Sequence, residues 1–263
     1  MLKIPGPTCG VRLGHDWVDP GTSPVTRMPS AYETATGPLR RQPAPTLSPT
    51  EQRLLVALDF AGIANRNERA MFLAQVSVES NGFRRLHENL AYSPERLLHV
   101  FHKGGYVKDL ADAQALVKGG RDAIAGRVYG PTHKGLGNRD ADDGARYVGR
   151  GYIQLTGRAN YRAAGAALGL DLLERPELVE EPGVATRVAV WYWLQRVSRS
   201  AAQIGDVRRV THDVNGGAEG LKERRRLYGH YLQLLPEPPP VHDGDLRSRT
   251  APRQDMSPYL LLP

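Results

Sequence analysis

The 263-residue sequence contains a single cysteine, Cys9, so an intramolecular disulfide framework is excluded. It also lacks any run near the roughly 20 apolar residues that a membrane-spanning helix requires. The first residues, MLKIPGPTCG, show no apolar segment of the signal-peptide type. We therefore expect synthesis in the cytoplasm, no integral membrane segment, and a separate route across the membrane if the substrate lies outside it.

Aromatic residues are also scarce, with only four phenylalanines, and no basic motif with interleaved aromatics is present. The formal net charge of +7 and the pI near 9.6 favour polyanionic partners such as nucleic acid, anionic cell wall or a membrane surface. Without an RNA- or DNA-binding motif, nucleic acid is not expected among the partners. Charge alone does not choose between the other two.

Several kinds of catalytic site are missing as well. The eight histidines form no HExxH pattern or paired metal-ligand spacing, and GRGYIQ lacks the lysine of a phosphate-binding loop. Ser77, Ser80 and His87 lie near one another but without a nucleophile elbow. We expect neither a metal site nor a cofactor.

Prolines indicate the domain boundaries, because nine of the 20 lie in residues 1–50 and seven lie in residues 236–263. Proline-rich polar segments seldom build a core. The sequence therefore predicts an extended or irregular arm at 1–47, a globular domain at 48–235 and a proline-rich tail at 236–263.

Helix signals dominate this globular part. Ser48-Pro49-Thr50-Glu51 has the form of a capping box and predicts a helix over about 49–62. Asn65 or Asn67 caps a second helix that runs to about Ser80, and Ser93-Pro94 opens a short third helix. Further helices are predicted over 109–125, 160–168, 206–214 and 221–235, and from Pro182 onward, while 146–156 fits either a short strand or a tight turn. The fold class is mainly α, with about seven helices and at most a small hairpin.

Two glutamates stand out because a bend separates them. Glu79 ends the second helix on the face that carries Phe72 and Val76, and Glu88 follows after a turn that contains Gly82. Cleavage of a glycosidic bond commonly requires one carboxylic acid to protonate the leaving oxygen and one carboxylate to activate water or attack the anomeric carbon. Carboxyl groups on the two sides of a turn fit that requirement.

Four separated segments support this interpretation: AQVSVESNGFRRLHENLAYSPERLLHVF, GRDAIAGRVYG, DGARYVGRGYIQLTGRANY and DVNGGAEGLKERRRLY. In order and spacing they resemble glycoside hydrolase family 19, which holds the plant-type chitinases, and more narrowly its bacteriophage branch of peptidoglycan-cleaving endolysins. The resemblance covers about residues 50–232. It implies a lysozyme-like helical fold of two lobes with a cleft between them.

The resemblance also implies roles for individual residues. Glu79 is expected to be the general acid, Glu88 the general base, and Thr156 the hydroxyl that helps hold the attacking water. The family reaction inverts the anomeric centre, which requires carboxyl groups roughly 6.5 to 9.5 Å apart. For this division of roles, burial should keep Glu79 protonated, and the polar loop around Glu88 should keep Glu88 ionised. Residues expected in substrate binding are Gln154, Asn160, Asn215 and Arg224, and Arg224 matches an arginine that the family places near the acid.

Structural interpretations of the same residues remain open. Thr156 also fits a turn hydroxyl bonded to backbone, and Asn215 with its following glycines fits a helix C-cap. Arg224 fits a solvated basic face. Tyr147 and Tyr152 are the candidates for stacking on sugars, whereas Trp191 and Trp193 fit the core.

Together these observations predict a peptidoglycan hydrolase that cleaves the β-1,4 bonds between N-acetylmuramic acid and N-acetylglucosamine by an inverting acid-base mechanism. Such an enzyme would be made in the bacterial host cytoplasm and act in the periplasm or cell wall, after release by a holin or as part of a virion. One alternative is a chitinase. Another is a structural or wall-binding component of a virion or secretion machine, with residues 1–47 and 236–263 contacting an assembly partner.

Overall fold

A computed structural model describes residues 46–133 and 135–236, and this part of the chain is mainly helical. It holds eleven α-helices, one 3-10 helix at Pro176–Glu180 and no strand longer than an isolated bridge. Numbered α1 to α11 in chain order, the α-helices span Pro49–Phe60, Arg66–Glu79, Pro94–Phe101, Leu110–Lys118, Gly120–Tyr129, Asp143–Arg146, Arg158–Leu168, Pro182–Arg196, Arg199–Gln203, Val207–Asn215 and Leu221–Leu234. The predicted fold class is confirmed.

The first helices begin where the sequence predicts them to begin. The Ser48 amide donates to Glu51 Oε2 at 2.6 Å and the Glu51 amide donates to Ser48 Oγ at 3.3 Å, which completes a capping box. Asn65 caps α2 through a 3.0 Å bond from the Glu68 amide, so Asn67 is not the cap. Ser93 caps α3 in the same way. Local side-chain chemistry therefore sets the position of α2, whose last residue is Glu79.

The segmentation differs from the sequence-based expectation in two respects, and it resolves one alternative. The single helix expected over 109–125 is two, because Gly120 adopts a φ of +83° and breaks it after α4. Two short helices, α6 and α9, were not expected. Residues 146–156 form a tight turn, with isolated bridges from Arg150 to His87 and to Leu155.

The larger hydrophobic core forms around α2 and α8. Phe72 of α2 packs edge-on against Trp193 of α8, with ring centroids 5.3 Å apart, and Trp191 is also buried. Both tryptophans thus belong to the core, as the sequence suggests. Glu68 lies in the same core, where it accepts hydrogen bonds from the Trp193 indole and from Arg199. This core fixes the helix that carries Glu79.

A second, smaller core is built mainly from α3, α4 and α5, with Leu97, Phe101 and Val128 among its buried side chains. The chain is therefore two-lobed, and residues 147–155 contribute to both cores. Tyr147 lies in the larger core and the adjacent Val148 lies in the smaller one. The tight turn after Tyr147 consequently sits at the junction of the lobes.

The predicted arms fall almost wholly on residues 1–45 and 237–263, which lie outside the described residues. The proposed boundaries at 47 and 236 therefore stay predictions. Within the described part, no helix combines the length and the apolar character needed to cross a bilayer.

Candidate active site

Glu79 is the last residue of α2, and a left-handed turn follows it directly. Asn81, Gly82 and Phe83 have φ values of +52°, +68° and +63°, so two residues with side chains share a conformation that favours glycine. The Ser80 hydroxyl holds the turn, since it donates to the Val76 carbonyl at 2.7 Å and accepts from the Phe83 amide at 3.0 Å. The chain thereby reverses within four residues after the first carboxyl group.

A buried arginine holds the Glu79 carboxyl group in place. Arg224 Nη2 donates to Glu79 Oε1 at 2.7 Å, and the two side chains are 3% and 14% exposed. The same guanidinium donates to Gln75 Oε1 and, at 3.1 Å, to the Glu219 carbonyl. Arg224 is therefore not part of a solvated basic face, and it lies beside Glu79 as the sequence resemblance implies.

Glu88 is placed by pairing between its own loop and the tight turn of residues 149–155. The Glu88 amide donates to the Gly149 carbonyl at 2.8 Å, and the Gly151 amide donates to the Leu86 carbonyl at 2.7 Å. Leu86 packs against the larger core and Leu90 lies in the smaller one. Glu88 therefore stands at the junction of the lobes, on a different segment from Glu79.

Next to this pairing, the side chains of His87 and Arg150 share one carboxylate. His87 Nδ1 and Arg150 Nε each lie 2.8 Å from Glu180 Oε1. Arg150 also donates to the Arg146 carbonyl at 2.7 Å. Because Glu180 bonds both partners of the bridge, it ties the Glu88 loop to the tight turn.

The carboxyl group of Glu88 is buried, although the sequence places it in a polar loop. Glu88 is 7% exposed, and burial raises its pKa above the ordinary value for a glutamate. Hydrogen bonds from Tyr129 and from the Gly149 amide oppose this, as do the charges of His87 and Arg85. The polar loop was expected to keep Glu88 ionised, but burial acts in the opposite direction, and the hydrogen bonds and charges of the protein only partly offset it.

Three oxygen atoms converge on Gly149. A Cβ atom at this position would lie 3.0 Å from Glu88 Oε2, 3.2 Å from Gln154 Oε1 and 3.3 Å from Thr156 Oγ1. The structure thus brings the Thr156 hydroxyl and the Glu88 carboxyl group to one small space that a glycine leaves open. Thr156 Oγ1 donates to the Gln154 carbonyl at 3.0 Å, so its proton is used and its oxygen can accept a hydrogen bond from water.

Gln154 and Asn160 maintain the loop that carries Thr156. Gln154 has a φ of +51° and donates to the Gly151 carbonyl at 2.9 Å. Asn160 donates to the Thr156 carbonyl at 2.7 Å. Both amides have structural partners near the site, and their sugar-binding roles stay predictions.

Asn215 joins the site through backbone and not through direct contact with a carboxyl group. Its side chain accepts from the Gly217 amide at 2.8 Å and donates to the Glu219 carbonyl at 3.1 Å. The same carbonyl accepts from Arg224. Asn215 therefore stabilises the turn that orients the arginine beside Glu79, which agrees with its alternative interpretation as a capping residue.

The prediction that Tyr147 and Tyr152 stack on sugars is wrong. Each is only 2% exposed, and stacking on a sugar requires an open ring face. Tyr147 packs against Tyr161 and donates to the Leu173 carbonyl, while Tyr152 packs edge-on against Phe83. Both are core residues.

Sequence reasoning missed two residues that contact Glu88 and one that contacts Arg224. Tyr129 Oη donates to Glu88 Oε1 at 2.6 Å, Gly149 donates its amide to Glu88 Oε2 at 3.3 Å, and Gln75 bonds Arg224. Tyr129 and Gly149 fall inside the quoted motifs GRVYG and RYVGRG, and Gln75 lies one turn before Glu79. That one-turn spacing and the motif membership were the available signals.

Tyr92 and two arginines complete the surroundings of Glu88. The Tyr92 hydroxyl is buried and has no hydrogen-bond partner among the described residues, and its pKa is raised by burial and then by the charge of Glu88. Arg96 and Arg85 act on it in the opposite direction. Neither arginine forms an ion pair within residues 46–133 and 135–236. The positive charge of Arg85 thus acts on the Glu88 carboxyl group, and that of Arg96 acts on the neighbouring Tyr92.

The described residues contain no group of three or more His, Cys, Asp or Glu side chains arranged to hold a metal ion. The polar groups that meet at the two carboxyl groups are instead hydroxyl, amide and guanidinium donors. Such a set supports proton transfer and the orientation of water.

Comparison of the sequence with known proteins identifies chitinases and a family 19 glycosyl hydrolase protein as relatives. The sequence profile described as chitinase class I matches residues 129–217. A glycosyl hydrolase family 19 domain-containing protein of Haemophilus influenzae is 37% identical over 177 residues, which cover 67% of this chain and 84% of that protein. Chitinase 11 of Oryza sativa is 39% identical over 117 residues, which cover 34% of this chain and 46% of that protein.

Solved structures that the chain matches include chitinase C from Streptomyces griseus. It superimposes with a TM-score of 0.45 at 23% identity, covering 70% of this chain and 82% of that one. A bacterial family 19 chitinase gives a TM-score of 0.45 at 26% identity, covering 70% and 84%.

Proposed function

Because the chain belongs to glycoside hydrolase family 19, we propose that it cleaves the β-1,4 bonds of peptidoglycan between N-acetylmuramic acid and N-acetylglucosamine with inversion. The observation that carries the mechanism is the placement of Glu88 Oε2 and Thr156 Oγ1 around Gly149, on a different segment from Glu79. A water held by the Thr156 hydroxyl would lose a proton to Glu88 as its oxygen attacks the anomeric carbon. Glu79 would give its proton to the leaving glycosidic oxygen, on the opposite face of the sugar.

Arg224 supports the acid role of Glu79. As the proton leaves, the Glu79 carboxyl group becomes negative, and the guanidinium 2.7 Å away stabilises that charge. Gln75 and the Glu219 carbonyl keep the guanidinium oriented before the reaction begins. The guanidinium therefore needs no large rearrangement to compensate the charge that forms on Glu79.

The preference for peptidoglycan over chitin rests on charge. Chitin is neutral, whereas peptidoglycan carries carboxylates on its peptide substituents. Arg85 acts on Glu88 and Arg96 acts on the neighbouring Tyr92, neither arginine has a carboxylate partner in the described part of the chain, and the formal net charge is +7. Cations beside the predicted base would attract an anionic glycan more strongly than a neutral one.

The substrate is tested by comparing two polymers. We expect the protein to reduce the turbidity of Gram-negative cells with permeabilised outer membranes and to release no soluble sugar from chitin. The matched variant is Arg85→Gln with Arg96→Gln. It should cleave the wall more slowly, and its cleavage rate should not become more sensitive to salt concentration. Release from chitin without wall cleavage would replace the proposal with its alternative, a chitinase, which the class I chitinase profile match favours.

Catalysis is tested separately from fold. Glu79→Gln and Glu88→Gln should each lower kcat by about 10²- to 10⁴-fold, the usual contribution of a general acid or base. Glu223→Gln is the control, because Glu223 is half-exposed and pairs with Arg226 on the surface of α11. Wild-type activity of Glu79→Gln would support the other alternative, a structural or wall-binding component of a virion or secretion machine.

We further propose a bacteriolytic, endolysin-like role. The enzyme would then reach the periplasm after holin release or with a virion, and residues 1–47 and 236–263 would be the segments available for an assembly partner. Lysis from within on co-expression with a holin, and no lysis without it, is the expected result. Lysis that does not depend on the holin would contradict the first route.

A further inference from the structure

The shortest hydrogen bond to the Glu88 carboxyl group comes from the small lobe. Tyr129, the last residue of α5, donates its hydroxyl proton to Glu88 Oε1 at 2.6 Å. Tyr129 is 6% exposed, and water therefore has little access to either partner. A hydrogen bond to a carboxylate in such surroundings is worth more than one at the surface.

The two oxygen atoms of Glu88 have different partners. Oε1 accepts from Tyr129, whereas Oε2 accepts from the Gly149 amide at 3.3 Å and faces the space shared with Thr156. Rotation of the carboxyl group about its last bond would break both hydrogen bonds. The hydroxyl of Tyr129 thus helps to hold the carboxyl group in the orientation that turns its other oxygen towards the space shared with Thr156.

Tyr129 is itself fixed to the loop that carries Thr156. Asn138 Nδ2 donates to the Tyr129 carbonyl at 2.5 Å, and Asn138 Oδ1 accepts from the Arg158 amide at 2.7 Å. Arg158 opens α7, two residues after Thr156. Asn138 therefore links the position of Tyr129 to that of the loop that carries Thr156.

Several groups act on the protonation of Glu88. Burial favours the neutral acid, and the bonds from Tyr129 and Gly149 favour the ionised form. The loss of the Tyr129 hydroxyl would therefore raise the pKa of Glu88 further. The titratable and charged groups that face this carboxyl group are Arg85, His87, Tyr92, Tyr129 and Tyr161.

We propose that Tyr129 is a positioning residue for the reaction, one that fixes Glu88 Oε1 so that Oε2 meets the water beside Thr156. The inference rests on the proposed role of Glu88 as the general base. Tyr129 would touch neither sugar nor water. It acts through the orientation and the protonation of Glu88.

The test is Tyr129→Phe, which removes one oxygen atom and keeps the ring. We expect kcat to fall about 10- to 100-fold, the value of a buried hydrogen bond to a charged group, with little change in KM. The acidic limb of the kcat/KM profile should move to higher pH, because the base then loses its proton less readily. The assay uses soluble glycan strands from peptidoglycan, or chitin hexamer if the wild type cleaves chitin alone.

The matched control is Tyr231→Phe. Tyr231 Oη also donates to a glutamate, Glu51 Oε1, at 2.6 Å, but this pair joins α11 to α1 and does not involve Glu88. Loss of that hydroxyl should lower stability and leave the pH profile unchanged. A shift in the acidic limb common to both variants would indicate a general effect of buried tyrosines and overturn the proposal.

A second probe covers the case in which Tyr129→Phe folds poorly. Fluorotyrosine at position 129 keeps the ring and makes the hydroxyl a stronger donor, so the acidic limb should move to lower pH. Wild-type kcat and pH profile in both proteins would refute the positioning role. If Glu88→Gln is inactive and the Tyr129 variants behave as wild type, only this inference fails; if Glu88→Gln retains activity, the proposed function fails with it.

Discussion

The Arg224 guanidinium lies 2.7 Å from the Glu79 carboxyl group, although 145 positions separate the two residues. Glu79 ends α2 and Arg224 lies in the first turn of α11, so the geometry of the acid depends on the C-terminal helix. Asn215 takes part through the Glu219 carbonyl. The predicted acid is thus a product of tertiary packing and not of the bend after α2 alone.

Arg224→Met should destabilise the protein by about 3 kcal/mol, because it leaves Glu79 and Gln75 without their buried partner. Activity should fall as well, since the carboxyl group loses its orientation. Urea denaturation and kcat provide the two measurements. The control is Arg226→Met, whose exposed pair with Glu223 should contribute only about 0 to 1 kcal/mol. Equal losses from the two variants would contradict a structural role for the buried pair.

Gly149→Ala should impair catalysis more than folding. The added Cβ would lie 3.0 Å from Glu88 Oε2 and 3.3 Å from Thr156 Oγ1, so both side chains must shift. Displacements of about 1 Å can cost about 100-fold in rate, and we expect kcat to fall at least about tenfold. Steady-state kinetics measures this change.

Gly229→Ala is the matched substitution outside the site. Gly229 lies within α11, and a Cβ there would meet no atom within 4 Å. Alanine in a helix is favoured over glycine by about 0.5 to 1 kcal/mol, so this variant should be more stable and fully active. Loss of activity in both glycine variants would contradict a specific requirement for glycine at position 149.

Glu88→Gln should become more stable relative to the wild type as the pH rises. Burial raises the pKa of Glu88 above 4.5, so the folded protein binds this proton more tightly than the unfolded chain does. Its contribution to stability is therefore present below the unfolded pKa and is lost as the pH rises through the folded pKa. Urea denaturation of both proteins between about pH 4 and 8 measures the difference. A relative stability of Glu88→Gln that falls with pH would show that the ionised carboxylate is the stabilised form.

The helix starts could be predicted because their causes are local. Ser48, Asn65 and Ser93 each bond an amide three residues ahead, and that spacing is visible in the sequence. The break in the helix before Gly120 was missed, because a glycine inside a helical pattern does not by itself indicate a positive φ. Short helices such as α9 depend mainly on packing against their neighbours.

The site was only partly predictable for the same reason. Glu79 and Glu88 follow from their motif, but the surroundings of Glu88 depend on Tyr129, 41 positions away. A loop rich in polar residues suggested exposure, and pairing with residues 149–151 buries it instead. Tyr147 and Tyr152 were assigned wrongly because their neighbours Tyr161 and Phe83 come from other segments.

Glu79 and Glu88 are proposed to hydrolyse peptidoglycan by a single displacement with water. Proton NMR of the first sugar released from soluble glycan strands tests it most directly, because it reports both the bond broken and the configuration formed. The account predicts a new reducing N-acetylmuramic acid that appears first as the α-anomer and then mutarotates. Initial release of the β-anomer, or of a 1,6-anhydro sugar, would contradict it.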